Sequence, residues 1–233
     1  MCSSAPTYIH ISTYVLVTKG PKSKSCKEIL LNHPGATSGV HWIKPQGGSF
    51  HSEFQVYCDM VTHGGGWTLV YSYTFTNYNN FVSTNNAVTP RPNWPASGAN
   101  VPISTSPPLS ESSRGAVNFN LWKEIGKEFL IKSNINDWIV CQSNGGSLVT
   151  KKDGPLSCQN IKNVATKCQG KAPNRIGWRS YGPSLFASSF YYYFDGSTSG
   201  DYPTHDPCGT NNQHQTKGVS YPRGTIFIRW TLL

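Results

Sequence analysis

Apolar positions along this chain fall in short bursts separated by Gly, Pro, Asn and Ser, a pattern that suits strands joined by turns. Strands are expected where Gly64-Gly65-Gly66 gives way to Trp67-Thr68-Leu69-Val70, and over residues 129–132, 138–141, 190–194 and 224–230. In the aromatic strand Tyr191 and Tyr193 share one face while Tyr192 and Phe194 take the other, so at least one pair is expected in the core. Leu121, Trp122 and Ile125 predict a short helix over 120–126, and Ile161, Val164 and Ala165 predict another over 159–166. Between 81 and 113, Pro90, Pro92, Pro95, Pro102, Pro107 and Pro108 forbid a continuous helix or central strand, so this stretch reads as a long loop or an exposed excursion. Residues 8–17 alternate β-branched and aromatic side chains. They make a better strand than signal peptide, since no basic region precedes them and no small-residue cleavage site follows.

The composition fits this loop-rich picture. Glycine (22) and proline (16) are plentiful, and only 13% of the 233 residues are charged. Seven Trp, twelve Tyr and ten Phe supply the apolar area that a 37% hydrophobic content would otherwise leave short. The formal net charge of +9, with Lys19, Lys22, Lys24 and Lys27 the densest basic group and Lys151-Lys152 a smaller one, is first of all solvated surface; polyanionic partners are the alternative reading. Nucleic acid is not expected, because no helix-turn-helix, finger or RNA-binding signature accompanies the charge. No segment approaches the roughly 20 apolar residues of a membrane span.

Seven cysteines lack the paired spacing of a zinc site, so disulfides formed in an oxidising compartment are the simpler account. Cys141, Cys158, Cys168 and Cys208 admit three pairings, among which spacing does not choose. Cys2 is left over as a free thiol, an interchain link through which the chain would oligomerise, or part of a truncated upstream segment.

Ser25-Cys26-Lys27-Glu28-Ile29, Gly39-Val40-His41-Trp42-Ile43-Lys44-Pro45, Gln55-Val56-Tyr57-Cys58-Asp59-Met60 and the triple-glycine strand form an ordered set with two cysteines 32 positions apart. That set resembles the opening of a fibrinogen C-terminal-like domain. The same block is also similar to intelectins, and the middle and C-terminal parts resemble divergent cnidarian matrix proteins of the fibrinogen-like kind. The resemblance implies a Cys26–Cys58 disulfide and an α+β fold with a central antiparallel sheet, short helices and long disulfide-linked loops. It further implies an extracellular, secreted module without catalytic activity. On this reading residues 1–24 are an N-terminal extension, a remnant of an upstream region, and 25–233 form one domain, with 25–73 as its N-terminal disulfide block and 74–233 as sheet and ligand loops.

Fibrinogen-like domains commonly hold calcium in a loop before a late cysteine, beside a pocket for acetylated sugars or peptide termini. The acidic, Gly-rich loop before Cys208 is the matching place, and Asp201, Asp206 and Asp195 are the expected Ca2+ ligands, all hard oxygen donors. Without calcium, Asp195-Gly196 and Asp206-Pro207 read as turn signals. His205, Tyr202, Asn211, Asn212, Tyr193 and Trp178 are the candidate ligand contacts, rings for stacking and amides or imidazole for directional hydrogen bonds. No G-x-S-x-G, H-E-x-x-H, P-loop or dinucleotide motif is present, so no catalytic residue is expected. Two functional classes follow: a lectin-like module binding carbohydrate or acetylated groups, and a structural, adhesive matrix protein binding polyanions or other matrix chains. No N-x-S/T sequon occurs, so no N-linked glycan is expected to cover the surface.

Overall fold

The computed structural model describes residues 22–45 and 53–231. Cys2, Lys19 and the strand expected at 8–17 lie outside the described residues. The chain opens with helix α1 (Cys26–Asn32) and strands β1 (Gly39–Ile43), β2 (Phe54–Asp59) and β3 (Trp67–Phe75). The proline-rich excursion carries only the two-residue strands β4 (Val88–Thr89), β5 (Arg91–Pro92) and β6 (Ile103–Ser104), followed by β7 (Gly115–Ala116). Helix α2 (Trp122–Ile125) precedes β8 (Glu128–Ser133), β9 (Trp138–Ser143) and β10 (Gly154–Lys162). The remaining strands are β11 (Arg175–Arg179), β12 (Gly182–Phe186), β13 (Phe190–Tyr193), β14 (Thr204–His205) and β15 (Gly224–Arg229).

Thirteen strands join one sheet whose main path runs β1-β2-β3-β15-β8-β9-β10-β11-β12-β13-β14, with β4 and β7 attached to β3. Every pairing on that path is antiparallel. The last strand therefore lies in the middle, between β3 and β8. All six residues of β8 and the first five of β15 are buried, so this centre is covered on both faces.

A bulge decides which side chains face which core. On β15, Ile226 pairs with Tyr71 but Phe227 pairs with Leu69, leaving Val70 as an extra residue on β3. The extra residue reverses the alternation. Trp67 and Leu69 consequently join Leu130, Val140 and Phe227 in a small core, whereas Tyr71 and Tyr73 join the main one.

The N-terminal block is not made of strands alone. Ser25 caps α1 by accepting a hydrogen bond from the Glu28 N–H at 3.4 Å, while the Glu28 carboxylate accepts one from the Lys24 N–H. Ser25-x-x-Glu28 is a capping-box spacing, a helix-start signal. The three glycines behave as expected: Gly64, Gly65 and Gly66 all have positive φ, and a Cβ on Gly66 would lie 2.7 Å from Lys27 Cδ. Cys26–Cys58 closes the block, as the resemblance implied.

Two expectations are corrected. Residues 159–162 continue strand β10 and no helix forms over 159–166, because Cys158, Gln159 and Asn160 pair with Cys141, Val140 and Ile139 and the Cys141–Cys158 disulfide fixes that register. Beyond the strand, Val164 and Ala165 donate their N–H groups to Asp137 Oδ1 at 2.7 and 2.8 Å. Ladder hydrogen bonds thus outweigh a weak helical period. The excursion at 81–113 is also less exposed than expected: Trp94 is buried against Tyr71, Phe119 and Trp122, and the Tyr71 hydroxyl donates to the Pro90 carbonyl at 2.7 Å.

Candidate ligand and metal site around the late cysteine

Strand β13 delivers the chain into the acidic loop. Tyr191, Tyr192, Tyr193 and Phe194 are all buried, so both faces of the strand are covered. Tyr191 donates to the Lys171 carbonyl, Tyr192 to the Asp137 carbonyl, and Tyr193 to Asp201 Oδ2 at 3.4 Å. The aromatic body is core and the phenols tie loops to it.

Asp195 ends this run fully buried. Its Oδ1 accepts the Ser197 N–H at 2.7 Å, its main-chain carbonyl accepts the Val88 N–H at 2.7 Å, and its Oδ2 has no hydrogen-bond partner. Burial pushes its carboxyl up to about 7, the charge of Asp201 adds to that, and the Ser197 N–H works against it. Ser197 and Ser199 bring their hydroxyl oxygens within 3.4 Å of each other, and Asn100 clamps the same loop by accepting the Thr198 N–H at 2.9 Å. Asp201 itself is exposed. Residues 195, 197, 199 and 201 thus alternate Asp, Ser, Ser and Asp along one loop.

The other expected positions fall elsewhere. Asp206 is buried and spends both oxygens inside its own loop: Oδ1 accepts the Cys208 N–H at 2.8 Å, and Oδ2 accepts Thr210 Oγ1 at 3.0 Å and the His214 N–H at 3.2 Å. Asp206, Cys208 and His214 have potential ligand atoms within 4.8 Å of one another. The Cys208 sulfur is bonded to Cys168, however, so no thiolate is available there.

His205, expected as a polar loop contact, is fully buried. Its ring packs edge-on to Tyr192 at 4.7 Å and Phe75 at 5.0 Å, and Nε2 lies 2.6 Å from the Tyr73 hydroxyl. Burial pulls its pKa down to about 3, so it is neutral across the physiological range. This is a core histidine, closed to ligand.

Tyr202 is half-buried and Asn211 is exposed with φ +60°. Asn212, at φ +69°, is buried, donating to the Pro203 carbonyl while its Oδ1 has no partner. Trp178 sits on β11 with its ring against Trp94 and Phe119, and its indole N–H donates to the Ser147 carbonyl at 3.4 Å. Its ring contacts thus lie with that aromatic cluster.

A groove of about 270 Å³ opens between the 3-10 turn Tyr78–Asn80 and the segment that follows Asn212. Tyr78, Asn79, Asn80, Phe81, Val82, Gln215, Lys217 and Gly218 line it. No motif pointed to Gln215; it becomes visible only through its surroundings. The basic groups are likewise sorted by the fold: Lys27 is buried, Lys22 pairs with Glu53, and Lys151 and Lys152 are exposed.

The family model for the fibrillar collagen C-terminal domain matches residues 16–98. The fibrinogen beta chain of Petromyzon marinus is 44% identical over 45 residues, a stretch covering 19% of this chain and 9% of that one. Among solved structures, the fibrinogen-like globe domain of human ANGPTL6 aligns at TM-score 0.44 and 13% identity, covering 92% of this chain and 97% of its own. That of human ANGPTL2 aligns at TM-score 0.41 and 13% identity, covering 89% and 99%. The family-model match spans the N-terminal block that the Cys26–Cys58 disulfide closes. Three disulfides fit an oxidising compartment. Among the described residues, no helix is long and apolar enough to cross a membrane.

Proposed function

We propose that this chain is a secreted, lectin-like recognition module that binds carbohydrate or acetylated groups beside its late cysteine, with calcium held by the loop from Asp195 to Asp201. The carrying observation is Asp195: a fully buried carboxyl with one oxygen unpartnered, near enough to Asp201 for the two charges to oppose each other. An unpaired buried carboxylate is costly, and a hard divalent cation offsets that cost with the oxygen chemistry it prefers. Asp195 and Asp201 would supply carboxylates, Ser197 and Ser199 hydroxyls, and bound calcium would neutralise the pair and stiffen the loop. Asp206 plays no part in this set, its oxygens being spent on Cys208, Thr210 and His214.

Thermal unfolding with calcium or with chelator tests the metal. A rise in Tm at millimolar calcium that Asp195→Asn and Asp201→Asn abolish is expected; no shift in the wild-type protein refutes the assignment. A glycan array run under the same two conditions tests recognition, discrete chelator-sensitive hits being the expected result.

The adhesive, polyanion-binding reading draws on the charge of +9 and on Arg114 and Arg223, whose charges lie close enough to oppose each other. Graded, salt-sensitive binding to heparin without discrete array hits would select it.

A further inference from the structure

A cavity of about 330 Å³ lies where the proline-rich excursion, the turn leading into α2 and the loop between β9 and β10 meet. Phe119 and Val149, both buried, and the exposed Pro95 give it apolar walls. Three indoles fix the Phe119 ring, with centroids 5.2 Å away for Trp122, 5.8 Å for Trp178 and 6.3 Å for Trp94, and its N–H donates to Asn93 Oδ1 at 2.7 Å. Lys123 on α2 and Lys151 in the β9–β10 loop line the same cavity from exposed positions, and among the described residues neither takes part in an ion pair. No carboxylate lines it. Of the acidic residues next to these lysines in sequence, Asp153 is engaged by the Trp178 N–H at 2.8 Å and Glu124 lies outside the lining. The loop that presents Lys151 is tightly built. Ser147 and Lys152 exchange backbone hydrogen bonds at 2.8 and 3.0 Å, and Ser147 Oγ accepts the Thr150 N–H at 3.2 Å. Inside this clasp Lys151 stands at φ +50°, a left-handed backbone that costs a residue with a Cβ, and residues held at such a cost cluster at ligand sites.

We infer that this cavity binds a small aromatic anion, one flat ring bearing a sulfate or carboxylate group, with the ring against Phe119 and the charge shared by Lys123 and Lys151. The inference depends on neither the calcium loop nor the carbohydrate reading. The sign of the ligand follows from two ammonium groups that no carboxylate opposes, which favour an anion and disfavour a cation. The ring follows from the walls. A bare oxyanion leaves a cavity of this size largely unfilled, and its volume falls at the small end of the roughly 300–1,000 Å³ typical of pockets for organic ligands. A flat ring covers the apolar surface of Pro95, Phe119 and Val149, and packs against a fixed phenyl group in the offset or edge-on arrangements that aromatic pairs prefer. Thr150 and Asn120, exposed on the same lining, supply a hydroxyl and an amide donor for anion oxygens that the lysines leave over. The long-range attraction of net charge for a polyanion needs no such enclosure, so a discrete aromatic site is a separate property of the surface.

Isothermal titration calorimetry of the whole chain in chelator tests this, with phenyl sulfate and benzoate as ligands, benzyl alcohol as the ring without charge and inorganic sulfate as the charge without a ring. Both aromatic anions are expected to bind with a Kd of about 1 mM or tighter, and each companion at least roughly ten-fold more weakly. Lys123→Gln and Lys151→Gln are expected to weaken binding by roughly two- to five-fold each, the value of an exposed charge pair, and Lys151→Glu by roughly ten-fold or more. Because both lysines are exposed and unpaired, these variants should keep the wild-type Tm. Inorganic sulfate binding as tightly as phenyl sulfate overturns the aromatic half of the assignment, and benzyl alcohol binding as tightly overturns the anionic half. Binding of the aromatic anions that all three lysine variants leave unchanged sinks the cavity as their site. No heat of binding from either aromatic anion at about 10 mM removes the inference outright.

Discussion

Replacing Asp59 with Asn severs the ion pair that ties the first disulfide block to the middle of the sheet. Lys132 stands on β8 with its ammonium 2.7 Å from Asp59 Oδ2 and 2.7 Å from Glu111 Oε1, over the rings of Phe227 at 4.7 Å and Trp138 at 5.0 Å. Asp59 Oδ1 is already engaged, accepting the N–H groups of Val61 and Thr62 at 2.9 Å each. Asparagine keeps that oxygen but turns a second donor toward the ammonium. Burial alone would raise the Asp59 pKa; Lys132 and the turn N–H groups outweigh it and hold the carboxyl at about 2, against an ordinary 3.8. At 1.36 kcal/mol for each tenfold, that gap corresponds to roughly 2.5 kcal/mol of pH-dependent stability.

The folded pKa lies below the unfolded one, so this contribution is complete above about pH 4 and is lost as pH falls through about 2. Asp59→Asn is therefore expected to cost about 2–4 kcal/mol at neutral pH, and Lys132→Met a similar amount because it strands a buried carboxylate. The double variant should cost less than the two singles together, since the second change removes the charge that the first left uncompensated. Urea unfolding with disulfides intact, at neutral pH and along an acid series, measures all of these. Additivity within about 0.5 kcal/mol, or an Asp59→Asn deficit that stays undiminished toward pH 2, would refute the reasoning.

Other perturbations have equally definite outcomes. In chelator, the raised Asp195 pKa means that stability falls as pH climbs from about 4 through about 7; Asp195→Asn should abolish that slope and be more stable than wild type at pH 8, read as Tm against pH. His205, held neutral with its pKa at about 3, contributes stability that is present above its ordinary 6.5 and lost as pH falls toward 3; His205→Phe should flatten that acid limb. Tyr73→Phe removes the hydroxyl that meets His205 and is expected to cost about 1–3 kcal/mol in urea unfolding. Gly66→Ala drives a Cβ to 2.7 Å from Lys27 Cδ and 2.9 Å from its Cα at a φ of +75°, so a lowered Tm or loss of soluble protein is expected, whereas Gly35→Ala, which meets nothing within 4 Å, should be near neutral.

Local chemistry made much of the scaffold legible. Three glycines before an apolar run announce a turn and a strand because only glycine tolerates three successive positive φ values without strain. The short helix near 120–126 and the strands at 129–132, 138–141, 190–194 and 224–230 follow from periods that burial on a sheet or against a core preserves. Cysteine count and composition likewise pointed to a disulfide-bonded chain with no helical bundle. The helix expected at 159–166 failed because its period is weak and the ladder to the neighbouring strand β9, pinned by Cys141–Cys158, claims the same residues.

The site depended on what the sheet brings together. His205 reads as a polar loop residue beside Asp206, but Tyr73, more than a hundred residues upstream, encloses it. Asp195 and Asp206 alike read as metal ligands or turn residues; the folded loop claims both oxygens of Asp206, whereas burial leaves one oxygen of Asp195 unpartnered. Which cysteines join among the last four, and that Gln215 lies in a groove beside Tyr78, were likewise settled by the fold. Residue type and near-neighbour spacing set backbone preference and periodicity, which one strand expresses alone. Burial, charge pairing and unmet hydrogen bonds are sums over neighbours distant in the chain, and only the closed tertiary structure assigns them.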